Sequence, residues 1–179
     1  MEKKRNFVGP IILLVFLLIL GFFGFSFYKT FTGNRDVGNQ RAFISSEYKK
    51  FTALAPDYLT LVDGKIDASE EVSKFKKSLE SLYEASYGGD VDYLHRKGVN
   101  AINNFKAIVE KADTNEELAA SAEYTDLRGQ IFTIFDDIAV AEKQYNETAK
   151  AFNDKIDKFP RNLFAQFLGW GKFGIINFE

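Results

Sequence analysis

The chain has 179 residues, with 23 Lys plus Arg against 25 Asp plus Glu, one His and no Cys. Three of the basic residues and one acid precede Phe7, so the chain from Lys29 onward is net acidic and lacks an electrostatic footprint for nucleic acid. Without Cys there are no disulfides, thiolate zinc sites, thiol nucleophiles or lipid-modified cysteines.

Residues Phe7 to Tyr28 are 22 in a row without a charge. As a helix they span about 33 Å, enough for a hydrocarbon layer of roughly 30 Å. A cleaved signal peptide shares the basic start and apolar run. The length of the run favours an uncleaved anchor, and no small-x-small site follows it better than Gly24-Phe25-Ser26. Phe22, Phe23, Phe25, Phe27 and Tyr28 crowd its far end, as interfacial aromatics do. Lys3, Lys4 and Arg5 favour a cytoplasmic N-terminus over the competing Lys29, Arg35 and Arg41, which puts the following domain outside the cytoplasm.

Gly33, Asn34, Gly38 and Asn39 predict a hinge. From Arg41 to Val62 the pattern is helical, with Pro56 expected to kink or restart it and Asp63-Gly64 to end it. Asp67 with Glu70 fits a helix N-cap, and Val72, Phe75, Leu79 and Leu82 carry that helix toward Ser86. Gly88-Gly89-Asp90 breaks the chain before a stripe through Val91, Leu94, Val99, Ile102, Phe105 and Val109. Asp113-Thr114-Asn115 then reads as a connection that caps the next helix.

The last long helix carries the strongest pattern: Ile131, Phe135, Ile138, Glu142, Tyr145, Ala149, Phe152, Ile156 and Phe159, at alternating steps of four and three. Such a seam belongs to a helix packed lengthwise on others, and Pro160 is expected to end it. Glu142 is the odd member. The pattern places it at the edge with Ala141 facing the core, or else buried and paired with a cation across the bundle.

No segment alternates as strands do. The fold class is all-α, a single transmembrane helix followed by an antiparallel bundle of about four long helices. The expected parts are a basic tail at 1–6, an anchor at 7–28, a hinge at 29–40, a bundle at 41–160 and an aromatic-rich tail at 161–179. In that tail Gly169, Gly171 and Gly174 argue against a long regular helix. It either folds back to cap the bundle, or presents Phe164, Phe167, Trp170 and Phe173, beside Lys172, to a membrane or a partner.

Chemistry is scarce. Asp92 and His95 share a helical face, but di-iron bundles need Glu-x-x-His from each of two helices, so a surface or rim histidine is expected. Glu70-Glu71, Glu116-Glu117 and Asp136-Asp137 are sequence neighbours that point to different sides of a helix. No Gly-rich phosphate loop, nucleophile elbow or metal-protease His pair is present. No catalytic residue, metal or cofactor is assigned.

Ile138-Ala139-Val140-Ala141, Tyr145-Asn146, Phe152-Asn153, Phe159-Pro160 and Asn162-Leu163 with Ala165 together resemble the C-terminal signature of LemA-family proteins. Leu54-Ala55-Pro56-Asp57-Tyr58-Leu59 is similar to that family's Leu-Ile-Pro-Asn-Leu-Val stretch. The chain departs from the family pattern at Lys50 and Phe51, where two arginines are usual, at Glu142, where Arg is usual, and at Glu110-Lys111-Ala112, where Glu-Tyr-Pro is usual. The resemblance implies a divergent member that is bacterial, membrane-associated and helical, and it transfers no active site. Pro56, Ile138, Tyr145, Asn146, Phe152, Asn153, Phe159 and Pro160 are the motif residues, with the aromatics inward and each Asn flanking the seam.

The expected role is a non-enzymatic binding or scaffold module in the bacterial cell envelope. Its partners would be the lipid bilayer and other envelope proteins, and long amphipathic helices also permit a homo-oligomer. The alternatives are a ligand-sensing accessory subunit of a membrane complex, or a metal-dependent protein using carboxylates and His95.

Overall fold

A computed structural model describes residues 8–178, so the basic tail at 1–6 lies outside the described residues. The helices in chain order are α1 (Val8–Val62), α2 (Ser69–Ala85), α3 (Val91–Asp113), α4 (Glu116–Ala119), α5 (Ala122–Ile156) and α6 (Arg161–Leu168). No strand occurs among the described residues, and the chain is all-α.

α1 is 55 residues long, about 82 Å at the helical rise. Its apolar N-terminal part is exposed, with a mean hydropathy of 2.7 over an 18-residue window of which nothing is buried. That is long and apolar enough to cross a membrane. The expected hinge at 29–40 is absent, because Gly33, Asn34, Gly38 and Asn39 all lie within α1. Two helical glycines cost about 2 kcal/mol in propensity, but tertiary packing outweighs that. A Cβ on Gly33 would stand 3.1 Å from the ring of Phe152 on α5. Glycine here lets α5 approach, and the next turns bury Val37 and Ile44 completely. α1 also runs on through Pro56 without restarting, since Ala55, Tyr58 and Val62 fix the turns around it in the core.

α1 pairs most extensively with α5, and α2 with α3. Contacts of Gly33 with Phe152, Tyr48 with Glu142 and Tyr58 with Tyr124 show α5 running antiparallel to α1. At the centre Phe51, Phe75, Phe105 and Phe135, one ring from each long helix, meet at centroid distances of 4.9–6.0 Å. Every seam residue from Ile131 to Ile156 is buried, Glu142 included.

The turns are capped locally. Gly64 takes a positive φ of 69° after α1. Asp67 does not cap α2: the N-cap is Ala68, without a side-chain bond, and the Asp67 carbonyl instead accepts from Lys111. Asp90, Asn115 and Ser121 cap α3, α4 and α5 through their side chains. α4 is a single turn whose Leu118 is fully buried.

α5 stops at Ile156, three residues before the predicted end, and Phe159 leaves the seam to become exposed. The chain reverses through Pro160 into α6, which ends at Gly169 with a positive φ of 66°. Residues 170–178 then run extended along α5. The α2–α3 hairpin reaches down only to Arg41, which bonds the Gly89 carbonyl. Below that level the α1–α5 pair is covered instead by the tail.

Candidate functional site

Two polar constellations stand out inside this framework, and both involve signature residues or their neighbours. The first is a buried carboxylate. Glu142 is only 4% exposed, which corrects the expectation that it would rotate to the seam edge. Both Glu142 and Ala141 face inward. Tyr48 on α1 donates its hydroxyl to Glu142 Oε1 at 2.7 Å, and His95 Nδ1 on α3 lies 2.9 Å from both carboxylate oxygens. His95 is therefore a half-buried core-edge residue, not a surface one, and its partnership with a carboxylate takes the place of the cation considered for position 142. The hydrogen bond to Glu142 raises the His95 pKa above its ordinary value, against the opposing effect of burial. Burial, reinforced by the Glu142 charge, pushes the Tyr48 phenol up so that it stays neutral. The cluster depends on Gly98, because a Cβ there would fall 2.2 Å from the Tyr48 hydroxyl.

The second constellation is an amide ladder. Asn146 and Asn153 stand two turns apart on α5, flanking the seam. Asn146 donates to the Ile176 carbonyl and accepts from the Ile176 N–H, both at 2.9 Å. Asn153 does the same with Phe173, again at 2.9 Å in each direction. A carboxamide presents one donor and one acceptor side by side, so each mimics the edge of a strand and holds an extended residue in register. Tyr145 donates to the Gly174 carbonyl between them at 2.8 Å, and burial raises its pKa. Beyond the ladder, the Asn177 N–H bonds Asp92 Oδ1 and the Phe178 ring stands edge-on to His95 at 5.4 Å. The tail thus joins the two constellations.

The aromatic tail divides between the two roles its composition left open. Trp170 and Phe173 pack against the bundle, Trp170 on Phe31 of α1 and Phe173 on Phe152. Phe164 lies across Phe23 and Phe27, inside the apolar part of α1. Phe167, on the same helix, is 88% exposed. Phe159 also meets Phe23.

Of the other signature residues, Ile138 is core, Pro160 is buried at the turn, and Pro56 is exposed on the rim of a shallow groove with Leu59, Leu79 and Tyr83. Phe51, where arginine is usual, sits at the centre of the aromatic core. Lys50 pairs with the buried Glu47 at 2.7 Å. Lys111 bridges to Glu71, and Ala112 is buried. Among the described residues no group of three His, Asp or Glu side chains is placed to hold a metal. Asp92 binds Arg96 and the tail backbone, while His95 binds Glu142. A tyrosine network, Tyr58 to Tyr124 to Asp113 with Arg128, closes the opposite end of the bundle and carried no sequence signal.

No curated protein matches this chain. The family model described as LemA family matches residues 40–178, which takes in the bundle, the amide ladder and the tail and leaves out the apolar start of α1. The chain belongs to the LemA family.

Proposed function

We propose that this LemA-family protein is a single-pass membrane protein of the bacterial cell envelope whose bundle acts as a non-enzymatic binding or scaffold module. One observation carries the reading: the exposed apolar segment and a main core helix are the same helix, α1, without a break. A cleaved leader has no reason to continue into the packing of the mature domain. Here Ser26 and Thr30, at the apolar boundary, are already buried against the rest of the fold. A stiff mount of this kind holds a bundle at a set height above a bilayer, which suits presentation of a surface to other proteins. The Lys3, Lys4 and Arg5 cluster argues for a cytoplasmic N-terminus and a bundle on the far side.

The test uses the absence of cysteine. Ser73 is exposed on α2, so a Ser73→Cys variant in intact cells can be challenged with a membrane-impermeant maleimide. Labelling without lysis, on a protein that resists alkaline extraction from membranes, is the expected result. Labelling only after lysis would reverse the orientation, and full release by alkali would overturn the anchor. In-cell crosslinking from the same cysteine then identifies the protein partner.

A further inference from the structure

The membrane end of the molecule carries a second lipid-directed feature besides α1. α6 and the turn before it lie against α1 at Phe23 and Phe27, with ring centroids 5.4–6.2 Å apart. Both contact residues fall inside the charge-free run that ends at Tyr28. Phe23 is five residues short of that end, about 7.5 Å along the axis. That lies within the depth of roughly 5–10 Å at which an interfacial helix seats its apolar face. Phe159, Leu163, Phe167 and Leu168 are exposed at this level.

Directly above lies a cavity of about 410 Å³ between α1, the end of α5 and the start of α6. Lys29, Lys155 and Arg161 line it, with Asp36, Glu147 and, at its floor, Phe152. Lys29 leans over the Phe25 ring at 5.6 Å. None of the three cations forms an ion pair with a described residue, although the acidic Asp36 and Glu147 are at hand. Lys29 is the first charge after the apolar run, so the cavity stands at the height of lipid phosphates when α1 spans the bilayer.

We propose that α6 is an interfacial foot and that this cavity receives the headgroup phosphate of an anionic phospholipid. The phosphate sits between Lys29, Lys155 and Arg161, and the acyl chains descend past Phe159 and Phe167 beside α1. The cavity size suits a phosphoglycerol headgroup. Three cations against two carboxylates leave one net positive charge, so the expected enrichment of anionic over zwitterionic lipid is about fivefold. The proposal rests on the anchor reading above.

Trp170, the chain's single tryptophan, packs on Phe31 above the foot, so the probe is placed on the foot itself with a Trp170→Phe, Phe167→Trp variant, position 167 being exposed. The full chain is placed in mixed phosphatidylglycerol–phosphatidylcholine nanodiscs in which one or the other lipid carries brominated acyl chains. Brominated phosphatidylglycerol should quench that tryptophan several-fold more than brominated phosphatidylcholine at equal mole fraction. The variant with Lys29→Gln, Lys155→Gln and Arg161→Gln should lose that preference, while Lys76→Gln, Lys77→Gln and Lys106→Gln on α2 and α3 should retain it. Equal quenching by both lipids in the parent chain would overturn the headgroup site and leave the anchor standing. Failure to incorporate into nanodiscs at all would remove the anchor and the site together. Loss of the preference on adding glycerol 3-phosphate would assign the cavity to a soluble phosphate and overturn the lipid assignment.

Discussion

Replacing Asn146 by alanine should release the extended tail while the four long helices remain assembled. Asn146 is buried and makes two bonds of 2.9 Å to the backbone of Ile176, which is itself buried. At a net worth of about 1 kcal/mol each, the pair contributes about 2 kcal/mol. If the tail stayed in place, an unpaired Ile176 N–H and carbonyl would cost about 1–3 kcal/mol apiece. Releasing the tail avoids that cost but exposes the Ile176 side chain, whose burial is worth about 1.5–3 kcal/mol. The expected loss is therefore at least about 2 kcal/mol whichever way the structure responds. Hydrogen exchange of residues 169–178 is the assay, with urea denaturation beside it. A 2 kcal/mol loss corresponds to roughly thirtyfold faster exchange at Ile176. Asn146→Asp keeps the acceptor but turns a buried carboxylate oxygen toward the Ile176 carbonyl, so it should lose at least as much as Asn146→Ala. Unchanged exchange at Ile176 in Asn146→Ala would refute the ladder as the tail's attachment.

Phe152→Ala should cost about 3–5 kcal/mol, because it empties the space its ring fills between Gly33 and Phe173; a thermal melt matching the parent would contradict its packing. Gly98→Ala should destabilise by about 1–3 kcal/mol by driving Tyr48 off Glu142, measured as a shifted urea midpoint with an unchanged slope. The His95 pair predicts a pH dependence of definite sign. Its pKa is higher folded than unfolded because of Glu142, with Asp92 adding to the rise and Arg96 opposing it. The stabilisation is complete below the unfolded value of about 6.5 and disappears as pH rises through the folded value. Urea midpoints should decline over that window in the parent chain and not in His95→Gln; a midpoint that rises instead would contradict the pairing.

The seam of α5 was legible because one helix packed lengthwise imposes its own period, and every position from Ile131 to Ile156 obeys it. The same regularity misled at Phe159, where the chain leaves the helix for a contact with Phe23, 136 positions earlier in sequence. The glycines of the supposed hinge illustrate the limit more sharply. Gly33 reads locally as a helix breaker, yet its use is to admit the ring of Phe152, a contact no local pattern announces. Glu142 was misplaced for a related reason: whether a seam carboxylate is buried depends on a partner, and His95 is 47 residues away. The signature asparagines were legible as residues flanking the seam, but what they bond was not. That their partner is the chain's own tail, in extended form, depends on the reversal after α6 and Gly169 and could not be read from residue types alone.

One rigid helix joins the apolar segment to the bundle. Spin labels on a Tyr28→Cys, Ala53→Cys double variant in nanodiscs test it directly, since both positions are exposed and the chain has no other cysteine. Pulsed electron–electron double resonance should give one narrow distance distribution, centred near the roughly 37 Å that 25 helical residues span. A broad distribution reaching well below about 30 Å would mean that the chain bends at Gly33 to Asn39, and the rigid mount would be wrong.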